Sequence, residues 1–156
     1  MNLKFVALIS VLLIIGCGAK KEFAVNSTTA SDFSYTMANQ PAVSITVIND
    51  DNNFCDLIIF RSNVREGYSV TSAQQSSDEL SASCNWQGNY FVQSSKHPTK
   101  ANLILQSIDD KSQIATFNVD FKLVNNKTLK DYFELENLQF TVSDLEFKNL
   151  TTTPEE

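Results

Sequence analysis

From Phe33 onward the apolar residues recur at every second position far more often than at the 3.6-residue period of a helix. The clearest run is Ala115, Phe117, Val119, Phe121 and Leu123, interleaved with Thr116, Asn118, Asp120 and Lys122. Successive side chains of a strand point to opposite faces, so this run predicts a long strand with one face in a core and the other in water. Val43, Ile45 and Val47 alternate with Ser44 and Thr46 in the same way. Leu57-Ile58-Ile59-Phe60 is continuously apolar and reads as a central strand covered on both faces. Gly67 to Val70, Leu80 to Cys84, Asn89 to Gln93 and Ala101 to Gln106 are further expected strands, each bounded by turn-forming residues.

Two polar connections predict which strands are neighbours. Asp50-Asp51-Asn52-Asn53 and Asp109-Asp110-Lys111-Ser112 are short, rich in turn residues and flanked by strand patterns, so each is expected to close a hairpin. Leu138, Phe140 and Val142 share one phase whereas Leu145 and Phe147 take the other, which predicts a bulge or bend at Ser143-Asp144. Helix is scarce: a turn or two at Thr128–Phe133 with Thr128 as cap, and capping-box spacing between Ser76 and Glu79.

Together these elements predict an all-β fold, an antiparallel β-sandwich of about seven to nine strands with little helix. It is not expected to be a true immunoglobulin domain, because Trp86 follows the second of the two domain cysteines instead of lying between them. A chain with only 4 Gly is also poorly equipped for the tight corners of a small barrel.

The first residues follow a different rule. After Lys4, the run Phe5 to Ile15 is apolar except for Ser10, and it ends at Gly16-Cys17 before Lys20, Lys21 and Glu22. A spanning helix needs about 20 apolar residues, so this run is too short for one and has the layout of an export signal. Its ending, Ile14-Ile15-Gly16-Cys17, resembles the lipobox of bacterial lipoprotein precursors, with Ile where that family most often has Leu. The resemblance covers only about the first 20 residues. It implies cleavage before Cys17, a diacylglyceryl group on the Cys17 thiol and frequent acylation of the new amino terminus. An inner-membrane member of the family usually carries Asp after the lipidated Cys, so Gly18 implies the outer membrane of a Gram-negative cell. The residues alone also allow an ordinary secretory signal that happens to contain a Cys.

The expected organisation is therefore a signal peptide over 1–16, a lipidated Cys with a flexible tether over 17–31, the sandwich over 32–150 and a disordered tail over 151–156. Cleavage leaves 140 of the 156 residues, the size of one domain. Without Lys4 that mature chain carries 11 basic and 18 acidic residues, which makes nucleic acid a poor partner.

Cys55 and Cys84 remain as an even pair in an oxidising compartment, which predicts one disulfide, with two buried thiols as the rival reading. Closing such a loop contributes about 3–4 kcal/mol in the loop-entropy model. Neither Cys has a second ligand at metal spacing, and no metal or cofactor is implied.

Candidate chemistry is sparse. There is no G-x-S-x-G elbow, H-E-x-x-H helix, P-loop or glycine-rich dinucleotide loop. The single His97 has no identifiable partner, and the carboxylate pairs Asp50/Asp51 and Asp109/Asp110 sit where Asp is favoured for turn hydrogen bonds. A Ca²⁺ loop counted from Asp50 meets Phe54 at its fifth place, and one counted from Asp51 meets Cys55. The sequons at Asn26, Asn126 and Asn149 matter only in a eukaryotic secretory pathway, which a lipobox argues against.

Two function classes remain. One is a membrane-tethered, non-enzymatic module that binds an envelope protein or glycan, or inhibits a hydrolase; the other is an envelope enzyme with a scattered site. For the first, Trp86 and Tyr90 with the amides between them have the composition of glycan-stacking and protein hot-spot surfaces. Trp86 has a competing use as a cover for the disulfide at the sandwich edge. Arg61 and Arg65 form a second candidate patch in an otherwise acidic chain.

Overall fold

The computed structural model describes residues 22–73 and 79–152, in which the alternation becomes ten antiparallel strands and one short α-helix. In chain order these are β1 (Ser27–Ala30), β2 (Thr36–Met37), β3 (Gln40–Asp50), β4 (Asn53–Phe60), β5 (Ser69–Ala73), β6 (Leu80–Trp86), β7 (Asn89–Val92), β8 (Lys100–Asp109), β9 (Ile114–Asn125), β10 (Tyr132–Ser143) and α1 (Asp144–Thr151). The lipobox with Cys17, Ser76 and the last four residues lie outside the described residues.

The strands make one curled sheet in the spatial order β1-β3-β4-β6-β7-β9-β8-β5, with β10 also on β9 and β2 also on β3. Strand β9 is where the sheet folds over. Along one edge it pairs with β10; along the other it pairs with β8 as far as Lys122 and then with β7 at Val124 and Asn125. The β5-β8-β9-β10 half thereby faces the β1-β3-β4-β6-β7 half in a sandwich whose two seams are bridged by side chains. At one seam Thr28 Oγ1 donates to the Thr141 carbonyl at 2.8 Å. At the other, Gln93 donates to Ser72 Oγ and accepts the Ala82 N–H, both at 2.8 Å.

Period two is what fills the space between the halves. Val43, Ile45, Val47, Leu57, Leu103, Leu105, Phe117, Val119 and Leu123 are all fully buried, each contributing about 1.5–3 kcal/mol of hydrophobic stabilisation. Phe117 and Phe140, opposed across β9 and β10, stack with centroids 5.1 Å apart. Both expected hairpins form, and their Asp residues act in the turns: Asp50 accepts from Asn52 and Asn53, and Asp109 from Lys111 and Ser112. Cys55 and Cys84 are joined by a disulfide between directly opposed positions of β4 and β6, with Cα atoms 4.0 Å apart and both residues buried.

Four expectations are corrected. The stretch read as tether is part of the fold from Phe23 on: Phe23 is buried, Asn26 N–H donates to Ile48 O, and Ser27–Ala30 is a strand on β3. Polar composition misled here because β1 is an edge strand whose buried contribution is mainly one alanine, Ala30. Strand β4 is central but not covered on both faces, since Ile58 and Phe60 are only half-buried on the outer side. The phase change at Ser143-Asp144 is a passage from strand to helix, whose Phe147 and Leu150 turn inward; the irregularity of β10 lies between Leu135 and Leu138. Thr128 caps no helix: the segment is a turn in which Asn125 Oδ1 accepts the N–H groups of Lys127 and Thr128, and β10 starts at Tyr132.

Candidate ligand site at one end of the sandwich

Three hairpin turns lie at the same end, because β3, β6 and β9 all run toward it and β4, β7 and β10 run away. They are cross-linked by amides. Asn53 is buried, donates to the Asp50 carboxylate and accepts the Gln87 N–H at 2.7 Å. Asn89 donates to the Gln87 carbonyl at 3.2 Å, and its own side-chain oxygen accepts from Asn125 at 3.2 Å. Turn residues Gln87 and Gly88 have φ of 50° and 73°, the left-handed pair that a two-residue hairpin loop requires. The rim at this end is thus held in place by its own hydrogen bonds.

Inside the rim is a cluster of aromatic rings. Trp86 shares the inward phase of Leu80, Ala82 and Cys84, and it meets Phe23 at 5.4 Å and Phe133 at 5.5 Å between centroids. Phe133 in turn meets Phe23 at 6.2 Å and Phe91 at 5.6 Å. A cleft of about 1010 Å³ opens over this cluster, lined by Glu22, Phe23, Trp86, Gln87, Asn89 and Tyr132 among others. That is at the upper end of the size range of small-ligand sites. Glu134 and Tyr132 of the lining are backed by Lys122, whose Nζ lies 2.9 Å from the Glu134 carboxylate and 5.1 Å from the Tyr132 ring centroid. The hydrogen bond that Lys122 donates to Glu134, and the Glu134 charge, hold the Lys122 pKa above its ordinary value.

Of the residues singled out from sequence, Trp86 lies in this cleft, and it also covers the end of the core two residues beyond Cys84. Tyr90 does not join it. In the hairpin register Asn89 is opposite Trp86 and Tyr90 is opposite Asn85, so Tyr90 stands on the outer face, 40% exposed. Arg61 and Arg65 form no patch. Arg61 is 4% exposed, and its guanidinium donates to the carbonyls of Asn149, Leu150 and Thr152 at the end of α1 and of Ser31 and Asp32. A cation is favoured at the negative end of a helix. Burial pulls the Arg61 pKa down from its ordinary value, and the Asp32 charge acts the other way. Arg65 alone remains at the surface.

Phe23, Tyr132 and Phe133 were missed. Phe23 stood in a polar stretch read as tether, and Tyr132-Phe133 in a segment read as a helical turn. His97 is half-buried in the loop between β7 and β8. Among the described residues no group of three or more His, Cys, Asp or Glu is placed to hold a metal ion. No protein-family model, no curated protein and no solved structure matches the chain.

Proposed function

We propose that this chain is a lipid-anchored, non-enzymatic binding module of a bacterial cell envelope, and that its ligand sits in the Trp86 cleft. The observation that carries the reading is the packing of Phe23 on Trp86 and Phe133, which makes the entry of the chain into the fold one wall of the cleft. With Cys17 in the lipid, five residue steps separate the anchor from Glu22, a reach of about 18 Å at full extension. The cleft then works next to the membrane surface, which suits a module that holds an envelope component in place. Gly18 in place of Asp supports the outer membrane as that surface.

The carboxylates support binding over catalysis. Glu134 is paired with Lys122, and Asp50, Asp109 and Asp120 are occupied with hydrogen bonds inside turns and a bulge. The test is capture from detergent-solubilised native envelope on the lipidated protein, with Gln87→Ala as control. A component retained by the wild type and lost by the folded variant is expected. Equal retention by both removes the cleft as the binding site.

A further inference from the structure

We infer that the ligand of this cleft is an uncharged oligosaccharide, stacked on the Trp86 floor and hydrogen-bonded by Gln87. The inference rests on the reading of the domain as a binding module and names its ligand class. The floor argues first. Phe23, Trp86 and Phe133 lie 5.4–6.2 Å apart between centroids, so the rings touch one another. An aromatic cage for an ammonium needs rings standing around a vacant centre, each within about 6 Å of the cation, and contacting rings leave no such centre. Phe23 and Phe133 are buried and Trp86 is half-buried, so what the cluster offers is the Trp86 ring, braced from behind, as an apolar face of the kind on which the C–H face of a sugar ring packs.

Charge argues next. The charged side chains that line the cleft are Glu22 and Glu134, and the nearby Lys122 is engaged by Glu134 at 2.9 Å. From Glu22 to the end the chain carries 18 acidic and 9 basic residues, a background that repels an anionic ligand.

The rim completes the case. The backbone of Gln87 is held by Asn53 and Asn89, while its side-chain amide makes no hydrogen bond within the described residues. An uncharged amide with two donors and an acceptor, on a fixed turn, matches a hydroxyl-rich neutral ligand and loses little entropy on binding.

Trp86 is the single Trp of the chain, so its emission reports on this cleft alone. The experiment titrates the full mature protein in detergent with cellotriose, chitotriose and mannotriose, and separately with choline and inorganic phosphate. A saturable shift in Trp86 emission is expected with at least one trisaccharide, and binding about tenfold weaker in Gln87→Ala, the loss of one hydrogen bond to a bound ligand. Trp86→Ala is unsuitable as the main variant because it also opens the core, whereas Gln87 is exposed. Silence with all three sugars up to about 10 mM overturns the inference. Saturation by choline or phosphate in their place overturns it too, as does wild-type affinity in Gln87→Ala. If the sugars are silent while envelope capture still depends on Gln87, only the ligand class is wrong; if capture is also independent of Gln87, the cleft reading falls with it.

Discussion

Arg61 Nη1 donates to the carbonyl oxygen of Asn149 at 2.6 Å, and through this bond and its neighbours a side chain at the end of β4 holds the last turn of α1. The same helix covers an edge of the sheet. Glu146 accepts the Ala30 N–H at 2.6 Å and Asn149 donates to the Ala30 carbonyl at 3.2 Å, so two side chains replace a strand neighbour for β1. Edge groups left without partners template unwanted pairing, and this arrangement covers them.

Removing the guanidinium should therefore release both the helix and the 31–32 segment. Arg61→Ala removes the hydrogen bonds to five carbonyls, the Leu150 one buried, and empties the space of a buried guanidinium, and a loss of about 3 kcal/mol is expected. Arg61→Lys should recover only part of it, because an ammonium is a single point of donors and cannot span the acceptors a planar fork reaches. Urea denaturation of the three proteins measures this. A loss under about 1 kcal/mol in Arg61→Ala would mean that α1 is held by Phe147 and Leu150 instead.

The core prediction rests on Phe117, which is fully buried and stacked on Phe140, and on Phe121, which is 3% exposed. Phe117→Ala and Phe121→Ala should each cost about 3–5 kcal/mol, the sum of lost transfer energy and a cavity that close packing cannot fill. The shift in denaturation midpoint at unchanged slope gives the value. Near-wild-type midpoints would contradict the burial.

The long strands were legible because their two faces meet different solvents, so alternation is written into β3, β8 and β9 residue by residue. Strand β1 and the entry of Phe23 were not, because an edge strand needs few apolar residues and Phe23 finds its partners 63 and 110 positions away, at Trp86 and Phe133. Helix α1 left a trace in the Ser143…Glu146 spacing, which has the form of a capping box. That trace is only formal: Ser143 donates to Asp144 and Glu146 is used on Ala30. Arg61 looked like surface charge because burial of a guanidinium depends on carbonyls supplied from 30 residues before it and 88 after it. The cleft combined the anticipated Trp86 and the amides Gln87 and Asn89 beside it with four further aromatics, Phe23, Phe91, Tyr132 and Phe133, that tertiary structure brings together.

The disulfide gives a chemical prediction. Cys55 and Cys84 are buried and bonded, so neither should react with a thiol reagent in the native protein or after unfolding without reductant. The Cys55→Ala/Cys84→Ala double variant should lose about 3–4 kcal/mol in the loop-entropy account. Two titratable thiols in the unfolded, unreduced mature chain would contradict the bond.

A pH prediction comes from Asp120, whose carboxylate accepts the Asn137 N–H at 2.8 Å in the β10 bulge and the Asn102 amide at 3.0 Å. These two bonds, the backbone one first, hold its pKa below the ordinary 3.8. The folded state thus binds this proton less readily than the unfolded chain, so the contribution is complete above about pH 4 and is lost as pH falls through the folded value. Asp120→Asn should lower Tm at pH 7, and the gap to wild type should narrow by pH 3. Screening by solvent at this half-buried group limits the effect to about 1 kcal/mol or less. A gap that widens in acid would reverse the sign and refute the assignment.

The anchor makes the last prediction, and it joins chemistry to geometry. Two acyl chains at Cys17, at about 0.8 kcal/mol for each buried CH₂, would make membrane attachment effectively permanent. Labelled palmitate should enter the wild type and not Cys17→Ser; equal labelling removes the lipoprotein reading. The position of Phe23 adds a second measurement. Because Phe23 is packed on Trp86 and only residues 18–21 stand between Cys17 and Glu22, Trp86 should lie close enough to a bilayer to transfer energy to a dansyl-labelled lipid in vesicles. Inserting about 20 Gly/Ser residues between Lys21 and Glu22 lengthens the tether by coil statistics to a root-mean-square span of about 25 Å and removes the constraint on orientation. Transfer should fall in the extended protein while palmitate labelling stays the same. Unchanged transfer would show that the short tether does not set where the cleft sits, even if Cys17 carries the lipid.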